Sequence, residues 1–268
     1  MKGHRVTAGR RALAAWTVLV VAFLYLPLAV VVVYSFNANP DQVTVWQGFT
    51  TRWFPDVLAD PVIADALLTS LRIALVNAVL AAVLGTLGAV GLRFAPRWLA
   101  ALYDGLAFAT LTTPVLVLGI ASLLSFVLLG VPRGGVTILL AHVVFNSSIV
   151  LLVVRARLAG MSNAEEEAAS DLGAGRWAVF GLVTLPRLLP AILAGALLAF
   201  TYSWDDYVVA SFVSGARTTT LPLRIFGELR FGISPRLNAL ATMTLLVTLL
   251  GLFSALFLAR RSLRPAQP

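Results

Sequence analysis

The sequence predicts an all-α integral membrane protein of six transmembrane helices, and three observations carry that prediction. Of 268 residues, 59% are hydrophobic and only 12% are charged, with a mean hydropathy of +0.92. Soluble domains carry about 25% charged and about 45–50% apolar residues. The apolar residues gather into six runs, at 13–36, 66–92, 99–129, 136–154, 188–213 and 237–259. These runs are continuous rather than alternating. Only helices and closed barrels satisfy every backbone group in hydrocarbon, and barrel strands are about ten residues long with alternating polarity, so the runs read as helices.

The same composition excludes several classes of function. The chain has no cysteine, which rules out disulfides, thiolate metal sites and a cysteine nucleophile. With only two histidines in addition, a metal site has no support. The net charge of +8 fits arginine and lysine anchoring at a membrane surface rather than nucleic-acid binding.

The first run follows Lys2, Arg5, Arg10 and Arg11. A basic start before an apolar run also opens a secretory signal. This run is about 24 residues long, enough to cross about 30 Å of hydrocarbon, and is read as an uncleaved first span. The outer loop 37–65 carries Trp46, Phe49, Trp53 and Phe54, as an aromatic interfacial belt would. In the second run Asn77 is expected to bond another helix, and Gly85, Gly88 and Gly91 to allow close helix packing. The third run is too long for one straight span, and Pro114 is expected to break it. Asp104, just inside that run, is expected to form an interfacial pair. In the fourth run His142 and Asn146 are expected to make helix–helix hydrogen bonds rather than to bind a ligand. The fifth run carries Asp205 and Asp206, and a second long outer loop, 214–236, precedes the sixth. With the N-terminus inside, thirteen arginines and lysines fall on the inner side, among them Arg93, Arg97, Arg155, Arg157, Arg176 and Arg187, and seven on the outer side. This bias predicts that both termini are cytoplasmic.

The most informative segment is the polar inner loop between the fourth and fifth runs. Ser162 followed by Glu165 has the spacing of a capping box. Glu165, Glu166 and Glu167 occupy a first turn, where the helix dipole favours anions. Gly173 is placed as the left-handed residue that ends this helix. A second short helix, with Trp177, Phe180 and Val183 at helical spacing, follows, and Pro186 and Pro190 mark the turn into the fifth span. A capped amphipathic helix on the bilayer surface accounts for the glutamates alone. It does not account for the longer pattern Glu167-Ala168-Ala169, three residues, Gly173, nine residues, Val183-Thr184-Leu185-Pro186.

That pattern resembles the EAA loop of permeases from ABC importers. The resemblance implies an ABC type-1 transmembrane domain over 66–259, preceded by a tail, span and outer loop at 1–65 and followed by a cytoplasmic tail at 260–268. It implies that the loop couples to an ATPase subunit. Glu167 would pair with a basic residue there, Ala168 and Ala169 would permit close approach, Gly173 would supply the bend, and Leu185 and Pro186 would anchor the loop to the membrane core.

Further blocks resemble the second permease subunit of spermidine/putrescine importers. They are Tyr34-Ser-Phe-Asn37, Trp46-Gln-Gly-Phe-Thr-Thr-Arg-Trp53, the stretch 203–213, Leu221-Pro-Leu-Arg-Ile-Phe226 and the stretch 234–242. The partners so implied are a homologous permease, two ATPase subunits that bind ATP and Mg, and an extracytoplasmic binding protein, all at a bacterial inner membrane. Carboxylates in a span are expensive and face a cavity or a partner. Along a continuous helix Tyr202 and Asp206 would share a face, with Asp205 about 100° away. Tyr202, Trp204, Asp205, Asp206 and Tyr207 are therefore candidates for a cation pathway, cation–aromatic contact included. The other reading is that the two aspartates cap helix ends or pair with outer-loop arginines. The remaining alternatives are a permease for another organic cation or small solute and, from a different class, an intramembrane hydrolase. The chain carries no G-x-x-x-x-G-K-[ST] phosphate loop, no G-x-S-x-G elbow and no H-E-x-x-H motif, so it is expected to have no ATPase or hydrolase site of its own.

Overall fold

The structure is a computed structural model that describes residues 3–40 and 45–262. Lys2 and Arg264, and the side chains of Arg5, Arg11, Arg260 and Arg261, lie outside the described residues. The described chain is helical: α1 (Gly3–Tyr34), α2 (Trp53–Leu58), α3 (Pro61–Arg93), α4 (Arg97–Thr112), α5 (Val115–Leu128), α6 (Gly135–Ala159), α7 (Ala164–Asp171), α8 (Arg176–Val179), a π-helical turn (Phe180–Thr184), α9 (Leu185–Trp204), α10 (Val208–Val213), α11 (Leu221–Leu229) and α12 (Pro235–Ser262). It divides into two compact units, residues 1–61 with 225–247 and residues 62–224 with 248–268.

The six predicted spans are matched in part among the described residues. Four helices are long and apolar enough to cross a membrane: Leu13–Tyr34, Pro61–Arg93, Gly135–Ala159 and Arg176–Trp204. A fifth crossing exists if α4 and α5, bent by 108° at the break between them, count as one span. The described apolar part of α12, Pro235–Gly251, is shorter. The bend falls where Pro114 predicts it. A residue before proline is driven out of the helical region, and Thr113 is extended, at φ −67° and ψ 130°.

In the first unit the segment after α1 folds around Asn37, which is fully buried. Its Oδ1 accepts from the backbone N–H of Asn39 (3.2 Å) and Gln47 (3.1 Å), and its Nδ2 donates to the Val45 carbonyl (2.9 Å). The Trp53 indole donates to the Asn37 carbonyl at 2.8 Å. Phe36 stacks on Phe49 and packs against Phe54, both at 5.1 Å between ring centres. Part of the predicted aromatic belt thus forms a ring cluster, with Phe49 still 70% exposed. Asp60 pairs with Arg236 in the same unit.

In the second unit α6 is the axis, packed against α9, α4, α10 and α5. One cluster joins Ala81 and Ala89 of α3, Val150 and Val154 of α6, and Leu188 and Ala199 of α9. A second joins Ile73, Ile138 and Ala141 with Ala210 and Val213 of α10. Small residues set the spacing. A Cβ on Gly85 would lie 2.6 Å from the Val150 Cβ and 2.8 Å from the Leu151 backbone nitrogen, and one on Gly195 would lie 3.2 Å from Val150. Gly88 meets Leu151 at 3.0 Å, whereas Gly91 meets nothing, so two of the three expected packing glycines of α3 take that role. Asn77 donates to the Ala199 carbonyl (2.8 Å) and accepts from Asn146 (3.2 Å), tying α3, α6 and α9 together. Arg155 pairs with Asp104 at 2.6 Å, as expected for an interfacial pair.

Gly85→Ala is expected to lower the thermal midpoint of the purified protein, in line with the ~1–3 kcal/mol usual for overpacking. Adding Val150→Ala should recover only part of the loss, because the Leu151 backbone nitrogen cannot retreat with the side chain. Melting curves in detergent for the two variants check both points.

Candidate functional site

Two regions of the second unit hold the predicted functional residues. The first is the inner loop. α7 ends in a closed cap: the Gly173 N–H bonds the Ser170 carbonyl (2.9 Å), and the Ala174 N–H bonds the Ala169 carbonyl (3.0 Å). Gly173 takes φ +87°, a conformation that costs other residues, although a Cβ there would meet no atom. Glycine is thus needed for its backbone and not for space. The predicted capping box does not form. The Ser162 hydroxyl accepts from the Ala164 N–H (3.2 Å), and Glu165 turns instead to Arg187 (3.2 Å).

The glutamates divide their work. Glu166 takes both prongs of Arg93 from the end of α3, at 2.8 and 2.9 Å, and the Thr184 hydroxyl donates to it at 2.9 Å. Arg93 also donates to Asn163 (2.8 Å), and Arg187 to the Ser162 carbonyl (3.2 Å). Glu166 therefore fastens the loop to α3 and to the π turn. Glu167 and Ala168 point outward and Ala169 is half-buried. Beside them stand bare apolar side chains, with Leu172 90% and Trp177 88% exposed. Leu185 and Pro186 are exposed as well. Three glutamates in succession point about 100° apart, so one sequence could not say which faced the protein. Arg93 lies 73 residues away and gave no local signal.

The expected turn at Pro186 is absent. The helix runs unbroken from Arg176 to Trp204. Proline clashes with the carbonyl four residues back, and the π turn immediately before Pro186 widens the backbone there. The Leu185 N–H reaches the Phe180 carbonyl, five residues back.

The second region is a break the sequence did not predict. The run 188–213 is not one helix: α9 stops at Trp204, residues 205–207 are irregular, and α10 restarts at Val208. Tyr202 and Asp206 therefore do not share a helix face. Asp206 caps α10, accepting from the N–H groups of Val209 (3.3 Å) and Ala210 (2.8 Å). Its further partner is not an arginine but His142 of α6, at 3.2 Å through Nε2, while the His142 Nδ1 meets the Ser203 hydroxyl at 2.8 Å. Trp204 is 2% exposed, stacks on Phe200 and donates to the Thr248 hydroxyl (3.1 Å). Of the five pathway candidates it is the one turned wholly into the protein. Tyr202 and Asp205 are exposed, and Asp206 and Tyr207 are half-buried. Ser203, His142 and Asp206 have the residue types of a hydrolase triad. However, Ser203 is 5% exposed and sits inside the last turn of α9.

The whole chain resembles known transporters. Residues 81–264 match the family described as "binding-protein-dependent transport system inner membrane component", a match that includes both regions above. The chain belongs to this family. It is 46% identical over 232 residues to the putrescine transport system permease protein PotI of Escherichia coli (strain K12), covering 83% of this chain and 82% of PotI. It is 35% identical over 255 residues to the spermidine/putrescine transport system permease protein PotC of the same strain, covering 94% and 95%. Among solved structures, a bacterial ABC transporter involved in the import of the acidic polysaccharide alginate matches with a TM-score of 0.78, at 13% identity, over 97% of this chain and 98% of that one. The methionine ABC transporter MetNI, in an inward-facing conformation, matches with 0.64, at 17% identity, over 77% and 100%. At such identities these likenesses fix the fold, an ABC type-1 permease fold.

The Arg93 hydrogen bond holds the Glu166 carboxyl below the usual range, helped by Thr184 and by the charges of Arg93 and Arg187, and opposed by burial. A group so depressed stabilises the folded loop fully above its unfolded value, and that contribution disappears as the pH falls through the folded one. Amide protection of Ala164–Asp171, corrected for intrinsic exchange, should accordingly stay level down to about pH 5 and fall below about pH 4. Glu166→Gln should exchange faster at neutral pH and lose the acid step; hydrogen exchange read by mass spectrometry checks both.

Proposed function

We propose that this chain is a permease subunit of an ABC importer that carries putrescine, spermidine or both across the inner membrane. The observation that carries this reading is its 46% identity to a putrescine permease over four-fifths of both chains. In this proposal it pairs with a homologous permease, two ATPase subunits supply ATP and Mg chemistry, and an extracytoplasmic binding protein delivers the substrate. The excess of arginine and lysine on the inner side supports cytoplasmic termini.

The coupling role falls to the inner loop. Glu167 and Ala168 face outward, where Glu167 can meet a cation of the ATPase and Ala168 allows close approach. The bare Leu172 and Trp177 suit a protein partner, since exposed apolar patches of this kind mark contact surfaces. Glu166, turned inward onto Arg93 and Thr184, transmits a push on α7 to α3 and α9. Alternating access follows if that push shifts the spans between two arrangements. At the other region, the exposed carboxyl of Asp205 and ring of Tyr202 offer a cation the contacts it needs on leaving water.

The test is uptake of radiolabelled putrescine and spermidine by proteoliposomes holding the assembled complex, its binding protein and internal ATP. The expected result is ATP-dependent uptake that Glu167→Ala lowers about tenfold, the loss of ~1.4 kcal/mol of coupling. An ATPase-competent complex that moves neither polyamine would overturn the substrate assignment.

A further inference from the structure

The break between α9 and α10 is bridged from α6 by the side chain of His142. His142 stands on α6, buried at 5% exposure. Its Nδ1 meets Ser203 on the last turn of α9, and its Nε2 meets Asp206, which caps the first turn of α10. The imidazole therefore touches both sides of an interruption that no backbone hydrogen bond of a continuous helix crosses. Both Asp206 oxygens also accept backbone N–H groups, and because an ionised carboxylate only accepts, Nε2 is the nitrogen that donates to it while Nδ1 bonds the Ser203 hydroxyl. At its far end α10 is tied to the same helix, because the Thr137 hydroxyl of α6 donates to the Val213 carbonyl at 2.7 Å. Ala210 and Val213 pack on Ile138 and Ala141 between these ties.

We infer that His142 is a positioning residue that locks the break at 205–207 in register with α6, acting through Asp206. The local capping explains why this is a lock rather than a support for folding. Without His142, Asp206 still caps Val209 and Ala210, and α10 remains a helix packed on α6. What is lost is the tie that fixes Asp206, and with it the neighbouring Asp205, relative to Ser203 at the end of α9. Glutamine is the residue that preserves the lock, since its Nε2 amide donates from nearly the same reach. Asparagine is one methylene shorter and reaches Ser203 but not Asp206.

The test uses the assembled complex and the absence of cysteine from this chain. A single reporter, Val208→Cys, is labelled with a water-soluble maleimide, and its rate is read on this subunit after separation. His142→Leu and His142→Asn are expected to raise the labelling rate at least fivefold, and His142→Gln to keep it within twofold. In the complex without the reporter, polyamine uptake per ATP hydrolysed should fall about tenfold in the Leu and Asn variants and recover in Gln, with binding-protein-stimulated ATPase retained throughout. A residue needed only for folding would lower assembly and ATPase together. Equal labelling in Leu and wild type, or Gln behaving as Asn does, overturns the inference; the Gln–Asn comparison decides it even where the Leu variant does not assemble. The labelling readout needs no transported substrate, so a wild-type complex that moves no polyamine would count against the proposed import alone.

Discussion

A chain this apolar has to satisfy its backbone polar groups from its own atoms, and every irregularity in it is shaped by that constraint. Three interruptions occur in the second unit, and each is closed locally. At Pro114 the Thr113 N–H and hydroxyl both bond the Ala109 carbonyl, at 2.9 and 2.6 Å, and the Thr112 hydroxyl covers the Phe108 carbonyl at 3.0 Å. Before Pro186 a π turn re-pairs the backbone one residue further back. At 205–207 the Asp206 carboxylate replaces the missing carbonyls. The first two solutions use groups of the same segment, threonine hydroxyls at Pro114 and backbone alone before Pro186. The third alone enlists a distant helix, through His142, and so ties a local backbone problem to tertiary structure.

The same constraint explains what could be read from the sequence. Hydrophobic runs, the bend at Pro114, the left-handed Gly173 and the polar ties of Asn77 and Asp104 are each set by one residue's own chemistry or by composition, and each was legible. The break at 205–207 was not, because an interruption within an apolar run does not alter hydropathy. Two failures share a cause. Pro186 read as a turn and 205–207 as continuous helix because proline's local cost and aspartate's capping ability depend on what surrounds them. Proline was absorbed by a wider turn, and aspartate was offered a histidine 64 positions away. Similarly, which of Glu165, Glu166 and Glu167 turned inward was decided by Arg93 and Thr184, neither adjacent in sequence.

The inner loop shows how three like charges can coexist in one turn. Glu165 and Glu166 are neutralised by Arg187 and Arg93, and the helix N-terminus lessens the repulsion felt by Glu167. The arrangement turns Glu166 inward and leaves Glu165, on Arg187, and Glu167 exposed. In the proposed importer that division is useful. A carboxylate pinned within the subunit conveys force, and one left free is available to a partner.

A push on the loop must reach the break through rigid packing to be of any use, and the helices between them are built for that. Val150 of α6 fits between Gly85 of α3 and Gly195 of α9, with a missing Cβ on either side and the Leu151 backbone nitrogen next to Gly85. At such contact distances one helix cannot slide past another without lifting out of its seat, because packed interiors shift between discrete arrangements rather than deform smoothly. Asn77 adds a directional tie, holding the Ala199 carbonyl and the Asn146 amide at once. The loop grips this body through Arg93 and Thr184, and His142 extends it to α10. In the proposed cycle α3, α6 and α9 thus act as one lever, and His142 carries its movement across the stretch 205–207, where the backbone lacks a helical path, by holding Ser203 and Asp206 together.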